Sequence, residues 1–226
     1  MPGNRPNDIN RGPLASNTVT QKLPTTAYSN PFASARIDAL IFVSEVDSVD
    51  MLLRKAFRLR LRCVILGPHG SGKSTLLREI ARRLVEEGHL VCRCRFQLAQ
   101  PHWVKVRALL RRVDRRRIFV LDGADHLSLV HWGLIWGKSR AAGGLIVTSH
   151  ERRLLPLLTR RETSLGLLRL LCDRLDASEA LPAGLLDDLF VQHRGNIRDV
   201  FRHLYDICAD WEGSKCYQQA PLSGRP

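Results

Sequence analysis

The chain has 226 residues, of which 44% are hydrophobic and 25% are charged, as in an ordinary soluble globular protein. This length suffices for one full core with a small appended lobe. No apolar run is long enough to span a bilayer or to form a signal-peptide core, so we expect a cytoplasmic protein without a membrane segment. The formal net charge of +13 favours polyanionic partners such as DNA, although arginine outnumbers lysine 29 to 6, a bias that genome composition also produces.

The first part of the chain is polar. Residues 1–35 are rich in Asn, Pro, Ser, Thr and Gly and are predicted to form a disordered arm. Near its end, Asn30-Pro31-Phe32 is predicted to dock on the core. A helical pattern then runs from Ser44 to Arg60 with one apolar stripe. Four basic residues fall outside that stripe: Arg54, Lys55, Arg58 and Arg60.

The strongest motif begins after a short apolar run, residues 62–66. Gly67 to Ser74 reads G-x-x-x-x-G-K-S, the Walker A pattern of a phosphate-binding loop. Glycines let the backbone N–H groups face an anion, and the helix predicted over Ser74 to Glu87 adds its positive dipole end. Lys73 is a point charge for the β- and γ-phosphates, and the Ser74 hydroxyl is a Mg²⁺ ligand. We therefore predict that ATP with Mg²⁺ is bound by Gly67, Pro68, His69, Gly70, Ser71, Gly72, Lys73, Ser74 and Thr75.

Strand and helix patterns alternate after this loop. The predicted elements are strand Leu90 to Phe96, helix Pro101 to Val113, strand Ile118 to Leu121, helix Leu127 to Lys138, strand Gly144 to Val147, and a further short strand and helix within 162–175. This alternation predicts an α/β sandwich around a mostly parallel sheet. From Ser178 to Trp211 only two helical patterns occur, at 182–193 and 197–211. The predicted domains are the arm at 1–35, a nucleotide-binding core with its N-terminal helix at 36–176, a helical lid at 177–212 and a loose tail at 213–226.

Ligands of an open parallel sheet sit at the carboxyl ends of its strands, so polar residues that end buried runs are candidate site residues. Asp122 is predicted to hold Mg²⁺ together with Ser74, the alternative being an ordinary Asp-Gly turn. Asp125 is either the general base for the attacking water or the cap of the next helix, and both interpretations stay open. Thr148 and Ser149, followed by His150, either orient water and contact the γ-phosphate or form a strand-end turn.

Gly195-Asn196-Ile197-Arg198 opens the last predicted helix. Asn196 is a good N-cap, and Asp199 three residues later completes a capping-box-like pair. Arg198 then lies in the first helical turn, where the helix dipole disfavours a cation. This placement suggests an anion opposite Arg198, such as the γ-phosphate of a nucleotide clamped by the lid. The alternative is a surface arginine paired with Asp199.

With these motifs in this order, the chain resembles compact AAA+ ATPases over about Arg36 to Trp211. The phosphate loop is followed by a Walker B strand (118–122), a sensor 1 strand end (Thr148 and Ser149) and a G-N-x-R sensor 2 (195–198). The small loader and switch ATPases of the origin-recognition and transposition-helper type are similar, as are the STAND signalling ATPases. The resemblance implies a P-loop NTPase three-layer sandwich with a five-stranded sheet ordered 5-1-4-3-2, ATP bound between core and lid, and function through conformational change and assembly.

The sequence departs from the AAA+ pattern in two ways. The Walker B element usually reads Asp-Glu, whereas here it reads Asp122-Gly123-Ala124-Asp125, which is closer to the STAND type. No arginine finger is singled out by its motif, and the candidates by position are Arg152, Arg153, Arg160 and Arg161. Both departures predict slow or partner-stimulated hydrolysis and leave nucleotide binding unaffected.

Three functions compete. The first is an ATP-dependent switch or loader with slow ATPase activity, acting with a protein partner or as a homo-oligomer. The second is a small-molecule phosphotransferase of the nucleoside-kinase kind, which the all-helical C-terminal lobe matches poorly. The third is a nucleic-acid-binding module with structural ATP, contacting DNA through the basic stretches at 54–60 and 107–117. For those stretches a solvated basic face is the alternative, because aromatic residues are not interleaved with the arginines in the way that base-stacking platforms would be.

Overall fold

The computed structural model describes residues 30–40, 48–98 and 100–218 of the chain. Five parallel strands form one sheet, in the order β2-β3-β4-β1-β5. The strands are β1 Arg62–Leu66, β2 Leu90–Arg95, β3 Arg117–Asp122, β4 Gly144–Ser149 and β5 Leu157–Arg160. Read from the other edge, this is the 5-1-4-3-2 order expected from the sequence, so the predicted P-loop NTPase fold is confirmed.

Eight helices surround or extend the sheet in the described part of the chain. They are α1 Ser34–Ala39, α2 Val49–Arg58, α3 Lys73–Glu86, α4 His102–Leu110, α5 Leu129–Ser139, α6 Leu165–Arg174, α7 Leu185–Gln192 and α8 Ile197–Gln218. None of them is long and apolar enough to cross a membrane. The start of the helix predicted from Ser44 lies outside the described residues.

Two element predictions were wrong in their bounds. The last strand lies at Leu157–Arg160 and not beyond residue 162, because this edge strand is too short for a period-2 pattern to be visible. Helix α8 continues to Gln218, seven residues past the predicted end at 211.

The sheet is covered on both faces, which explains why β1, β3 and β4 read as continuous apolar runs. On one face, α2 and α3 pack Leu53, Leu76 and Ile80 against β1 and β3. On the other face, α4 and α5 pack Val106 and Ile135 against the same strands. Helices, sheet and helices therefore form three layers, and the carboxyl ends of the strands open toward the phosphate loop.

The third apolar cluster belongs to α6, α7 and α8, here called the helical lobe. Leu168 and Cys172 of α6 are part of this cluster, together with Leu204 of α8. Phe32 joins it from the N-terminal side, with its ring centroid 5.6 Å from that of Phe201. The Asn30 side-chain amide donates to the Tyr205 carbonyl at 3.0 Å. The Asn30–Phe32 stretch was predicted to dock on the core, but it docks on the helical lobe.

Candidate functional site

The phosphate loop connects the end of β1 to the start of α3. Gly67, Gly70 and Gly72 all have positive φ angles, of 152°, 74° and 78°. The Ser71 hydroxyl donates to the Pro68 carbonyl at 2.8 Å and closes the loop. Helix α3 has no side-chain cap and no acidic residue in its first turn, so its first N–H groups stay available to an anion.

The loop forms a cradle that side chains would fill. A Cβ atom on Gly67 would collide with the Arg161 carbonyl and stand 2.7 Å from the Ser71 hydroxyl. A Cβ atom on Gly70 would collide with the side-chain oxygen of Asn196. The cradle and its free N–H groups fit a phosphate chain, as the sequence predicts.

Lys73 lies over this cradle. Its ammonium group donates to the carbonyls of Gly67 and Pro68, both at 2.6 Å. Burial lowers the pKa of Lys73, and the positive charge of Arg198 lowers it further, while the carboxylates of Asp125 and Asp122 act in the opposite direction. An anion placed between Lys73 and Arg198 would therefore relieve the repulsion between these two cations.

Asp122 is the centre of a small hydrogen-bond network at the end of β3. Its Oδ1 atom accepts from the Ser74 hydroxyl at 2.8 Å and from the Thr148 hydroxyl at 2.7 Å. The backbone N–H of Gly123 donates to the Thr148 oxygen at 2.8 Å. Carboxylate and hydroxyl oxygens are the hard ligands that Mg²⁺ prefers, so this donor set fits the metal. Thr148 contacts Asp122 and thereby positions it.

Arg95, at the end of β2, was not predicted. Its Nε atom lies 3.4 Å from Oδ2 of Asp122, and its side chain lines the same cleft. The strand-end rule did not select Arg95, because the strand was predicted to end at Phe96, whereas β2 ends at Arg95. Arg95 neutralises the free carboxylate oxygen that Ser74 and Thr148 leave unused.

Asp125 lies in a single 3₁₀ turn, Ala124–His126, that precedes α5. The N-cap of α5 is Ser128, whose hydroxyl accepts from the His131 backbone N–H. The alternative interpretation of Asp125 as the helix cap is therefore wrong. Its Oδ2 atom is directed toward histidines, at 3.6 Å from His150 Nε2 and 3.8 Å from His126 Nδ1.

His150 belongs to the same cleft, and its ring centroid lies 4.3 Å from that of His69. Burial and the positive charge of Lys73 lower the pKa of His150, although Asp125 opposes the shift. The neutral imidazole is thus favoured beside Lys73. Ser149 behaves differently, since its hydroxyl accepts from the Glu151 backbone N–H at 3.1 Å and it does not line the cleft. For Ser149 the structure favours the strand-end turn over the catalytic role.

Arg198 lines the cleft together with Lys73. Both carboxylate oxygens of Asp199 are already used, one by the Asn196 amide and the other by Arg202 at 2.9 Å. Within the described residues, Arg198 has no carboxylate within 4.0 Å. The alternative interpretation of Arg198 as a partner of Asp199 is therefore wrong. The Oδ1 atom of Asn196 is buried without a hydrogen bond, at the point where the helical lobe contacts Gly70.

The four arginine-finger candidates separate into two kinds. Arg153 donates to the Asp125 carbonyl at 3.1 Å, and the buried Arg161 lines the cleft of its own chain. Arg152 and Arg160 are exposed and do not line the cleft. An arginine finger has to reach the nucleotide of a neighbouring molecule, and only the exposed pair is free to do so. Its assignment stays a prediction.

The cleft has a volume of about 870 Å³, which suits a nucleoside triphosphate. One end is polar and holds the residues described above. The other end is mainly apolar and was missed by sequence reasoning, because its residues come from both ends of the chain. Its apolar residues are Phe32, Ile37, Leu40, Leu167, Leu171, Ile197 and Phe201. Polar side chains of α1 and α8 line the cleft as well: Ser34, Asp38, Arg202, Tyr205 and Asp206.

Comparison with known proteins agrees with this geometry. A family model described as an AAA ATPase domain matches residues 44–203, more than half of the chain. A search of curated proteins finds none that matches.

Proposed function

Because the chain belongs to the AAA ATPase family, we propose that it is an ATP-dependent molecular switch with slow hydrolysis. The switch has two positions, in which the helical lobe is either closed over the nucleotide or released from it. The observation that carries the proposal is the placement of Lys73 and Arg198. One belongs to the phosphate loop and the other to the helical lobe, and both line one cleft. No carboxylate of the described residues lies within 4.0 Å of Arg198 to neutralise it.

In this function the phosphate loop holds the triphosphate. The loop N–H groups and the first turn of α3 bind phosphate oxygens, and Lys73 exchanges its two carbonyl contacts for the β- and γ-phosphates. Ser74 and Asp122 would hold Mg²⁺, which neutralises phosphate charge when bound. Thr148 keeps the Asp122 carboxylate in place, and Arg95 balances its negative charge.

Arg198 supplies the nucleotide-dependent step. A cation in the first turn of a helix is disfavoured by the helix dipole, so the free energy of the closed lobe depends on an anion opposite Arg198. A γ-phosphate provides that anion and ADP does not. The fraction of molecules with a closed lobe is then higher with ATP bound than with ADP bound, which is a population shift. The surface offered to a partner changes with it.

We expect ATP hydrolysis to be slow. Asp125 is the carboxylate available to accept a proton from the attacking water, with the neutral His150 imidazole beside it. No glutamate directly follows Asp122, so this base lies two residues farther along the chain than the glutamate of the usual Asp-Glu pair. We expect turnover to be weak without a partner or a second copy of the chain.

The test compares the affinities of the purified chain for ATP and ADP, measured by isothermal titration calorimetry. Lys73→Ala should weaken both affinities at least 100-fold, because it removes the only loop cation. Arg198→Ala should weaken the affinity for ATP about tenfold or more, as expected for a lost charge-assisted hydrogen bond. The affinity for ADP should stay within about twofold of that of the parent chain.

The matched control is Arg174→Ala, which removes an exposed arginine of the helical lobe that does not line the cleft. We expect it to change neither affinity. If Arg198→Ala weakens ATP and ADP equally, Arg198 does not sense the γ-phosphate and the switch proposal fails.

A further inference from the structure

Exposed cations gather at the amino-terminal ends of the strands, opposite the nucleotide cleft at their carboxyl ends. All five strands are parallel, so the loops that enter β1, β3 and β4 lie at the same, amino-terminal edge. These three strands are direct neighbours in the order β3-β4-β1. The loops and helix ends before them carry eight exposed cations, here called the basic face: Arg58, Arg60, Arg111, Arg112, Arg115, Arg116, Lys138 and Arg140.

Hydrogen bonds tie the three loops into one surface. The Arg62 guanidinium donates to the carbonyls of Ser139 and Ala142, both at 2.8 Å, and so joins the loop before β1 to the loop before β4. The Gly143 N–H donates to the Arg117 carbonyl at 2.8 Å and joins the loop before β4 to the loop before β3. Stretches that are far apart in sequence therefore form a continuous cationic surface.

The basic face is not neutralised by the residues that the structure describes. None of its eight cations lies within 4.0 Å of a carboxylate in the described part of the chain, whereas Arg82 pairs with Glu79 and Arg169 with Asp187. The single carboxylate in these loops, Asp114, accepts from the backbone N–H of Arg116 at 3.1 Å. Such unpaired like charges repel one another, and a polyanion would remove that cost.

We propose that the basic face binds the phosphate backbone of duplex nucleic acid. Seven of its eight cations are arginines, whose forked guanidinium binds phosphate in a bidentate manner. From β3 to β1 the strands span about 10 Å, and the arginine side chains on either side extend this to about the 20 Å width of a duplex. Backbone contacts need no base stacking, so the absence of a series of stacking aromatics, which favoured a solvated face, does not argue against them.

A membrane surface fits less well. The loops 59–61, 111–116 and 140–143 expose no large apolar side chain, and at the helix end before β1 only the Phe57 ring beside Arg58 is exposed, at 39%. One partly exposed ring offers little apolar surface to insert between lipids. The exposed residues Trp103, Val104, Leu129 and Val130 lie instead in the first turns of α4 and α5, at the opposite edge of the sheet.

The test measures the anisotropy of a short fluorescent DNA duplex titrated with the full chain at several salt concentrations. We expect the affinity to fall by about 1,000-fold or more between 50 and 200 mM salt, as for a protein with six or more phosphate contacts. The triple variant Arg111→Gln, Arg115→Gln and Arg116→Gln should bind at least tenfold more weakly. It should also reduce the slope of log affinity against log salt by about 2.7, for three lost contacts.

The control is a triple variant with the same loss of charge at exposed arginines of the helical lobe: Arg169→Gln, Arg174→Gln and Arg194→Gln. We expect it to bind within about twofold of the parent chain, and thermal melts of both variants check that they fold. Lys73→Ala should bind the duplex normally, so failure of this proposal is distinguishable from failure of the nucleotide switch. No binding at 50 mM salt, equal losses in the two triple variants, or binding to phosphatidylserine vesicles that duplex does not displace would each overturn the proposal.

Discussion

Gly70 is the residue at which the phosphate loop contacts the helical lobe. Its φ of 74° lies in the left-handed region that side chains rarely adopt. A Cβ atom here would collide with the Asn196 side chain and stand 3.1 Å from the backbone N of Arg198. The position of the proposed sensor arginine therefore depends on the absence of a single methyl group.

We expect Gly70→Ala to abolish nucleotide-dependent closure. The left-handed conformation costs an L-residue about 1–2 kcal/mol, and the methyl group pushes Asn196 and Arg198 off the loop. The matched control is Gly133→Ala, in α5, where a Cβ atom meets nothing within 4 Å. That change should stabilise the protein by about 0.5–1 kcal/mol, because alanine favours a helix over glycine. Calorimetry of ATP binding and a thermal melt of both variants give the comparison, and unchanged ATP affinity in Gly70→Ala would contradict it.

At this scale the sequence predicted the site residues whose motif fixes their geometry. The phosphate loop and Asp122 lie where expected, because a strand, a glycine turn and a helix leave them little freedom. Thr148 and Ser149 were predicted together, yet consecutive strand residues point to opposite faces, so only Thr148 faces the cleft. Asp125 was undecided because a 3₁₀ turn, invisible to periodicity, separates it from α5.

At the scale of elements, the segment around α1 connects the N-terminal side of the chain to the helical lobe. Phe32 is only 2% exposed and packs on Phe201 of α8, the helix that also carries Arg198. The same segment supplies Ile37 and Leu40 to the apolar end of the cleft. This short stretch therefore supports the lobe and contacts the nucleotide site at the same time.

Phe32→Ala should destabilise the helical lobe by about 3–5 kcal/mol, the usual cost of removing a buried phenylalanine ring, and weaken ATP binding with it. Phe57→Ala is the control, since the Phe57 ring in α2 is 39% exposed and does not line the cleft. Chemical denaturation and ATP titration of both variants provide the measurement. Equal costs for the two substitutions would mean that Phe32 does not anchor the lobe.

Long periodic elements were predictable and short or distant ones were not. Helix α3 and strands β1, β3 and β4 carry apolar patterns strong enough to be read locally. The four-residue strand β5 has no readable alternation. The docking partner of Asn30–Phe32 lies some 170 residues away in sequence, so only tertiary packing decides between core and lobe.

At the scale of the whole molecule, the nucleotide cleft is bordered by both the core and the helical lobe. Phosphate loop, strand ends, α1 and the helical lobe each contribute lining residues. A ligand held by all of them binds only the folded and assembled arrangement, and its binding free energy adds to the free energy of unfolding.

ATP at 100 times its dissociation constant should therefore add about 2.7 kcal/mol of stability. For a chain of this size that corresponds to a rise in melting temperature of about 5–10 °C. Differential scanning calorimetry should also show core and lobe unfolding in one transition. Lys73→Ala should show no rise, and a rise of the same size in that variant would mean that the nucleotide binds elsewhere.

The strand order of the sheet was predicted by resemblance and is confirmed. That the basic stretches would lie side by side on one surface was not predicted. Two of them, at 54–60 and 107–117, were recognised from sequence. Their alignment on one edge follows from the parallel order of β3, β4 and β1, which no local pattern contains.

The same strands end in the nucleotide cleft and begin at the basic face. Strand β3 has six residues and so holds these two regions about 20 Å apart. Physiological salt screens charges over about 8 Å. The direct electrostatic interaction between a triphosphate at one end and a polyanion at the other is therefore largely screened. Any influence between them has to pass mechanically, through displacement of the lobe or contact with a neighbouring molecule.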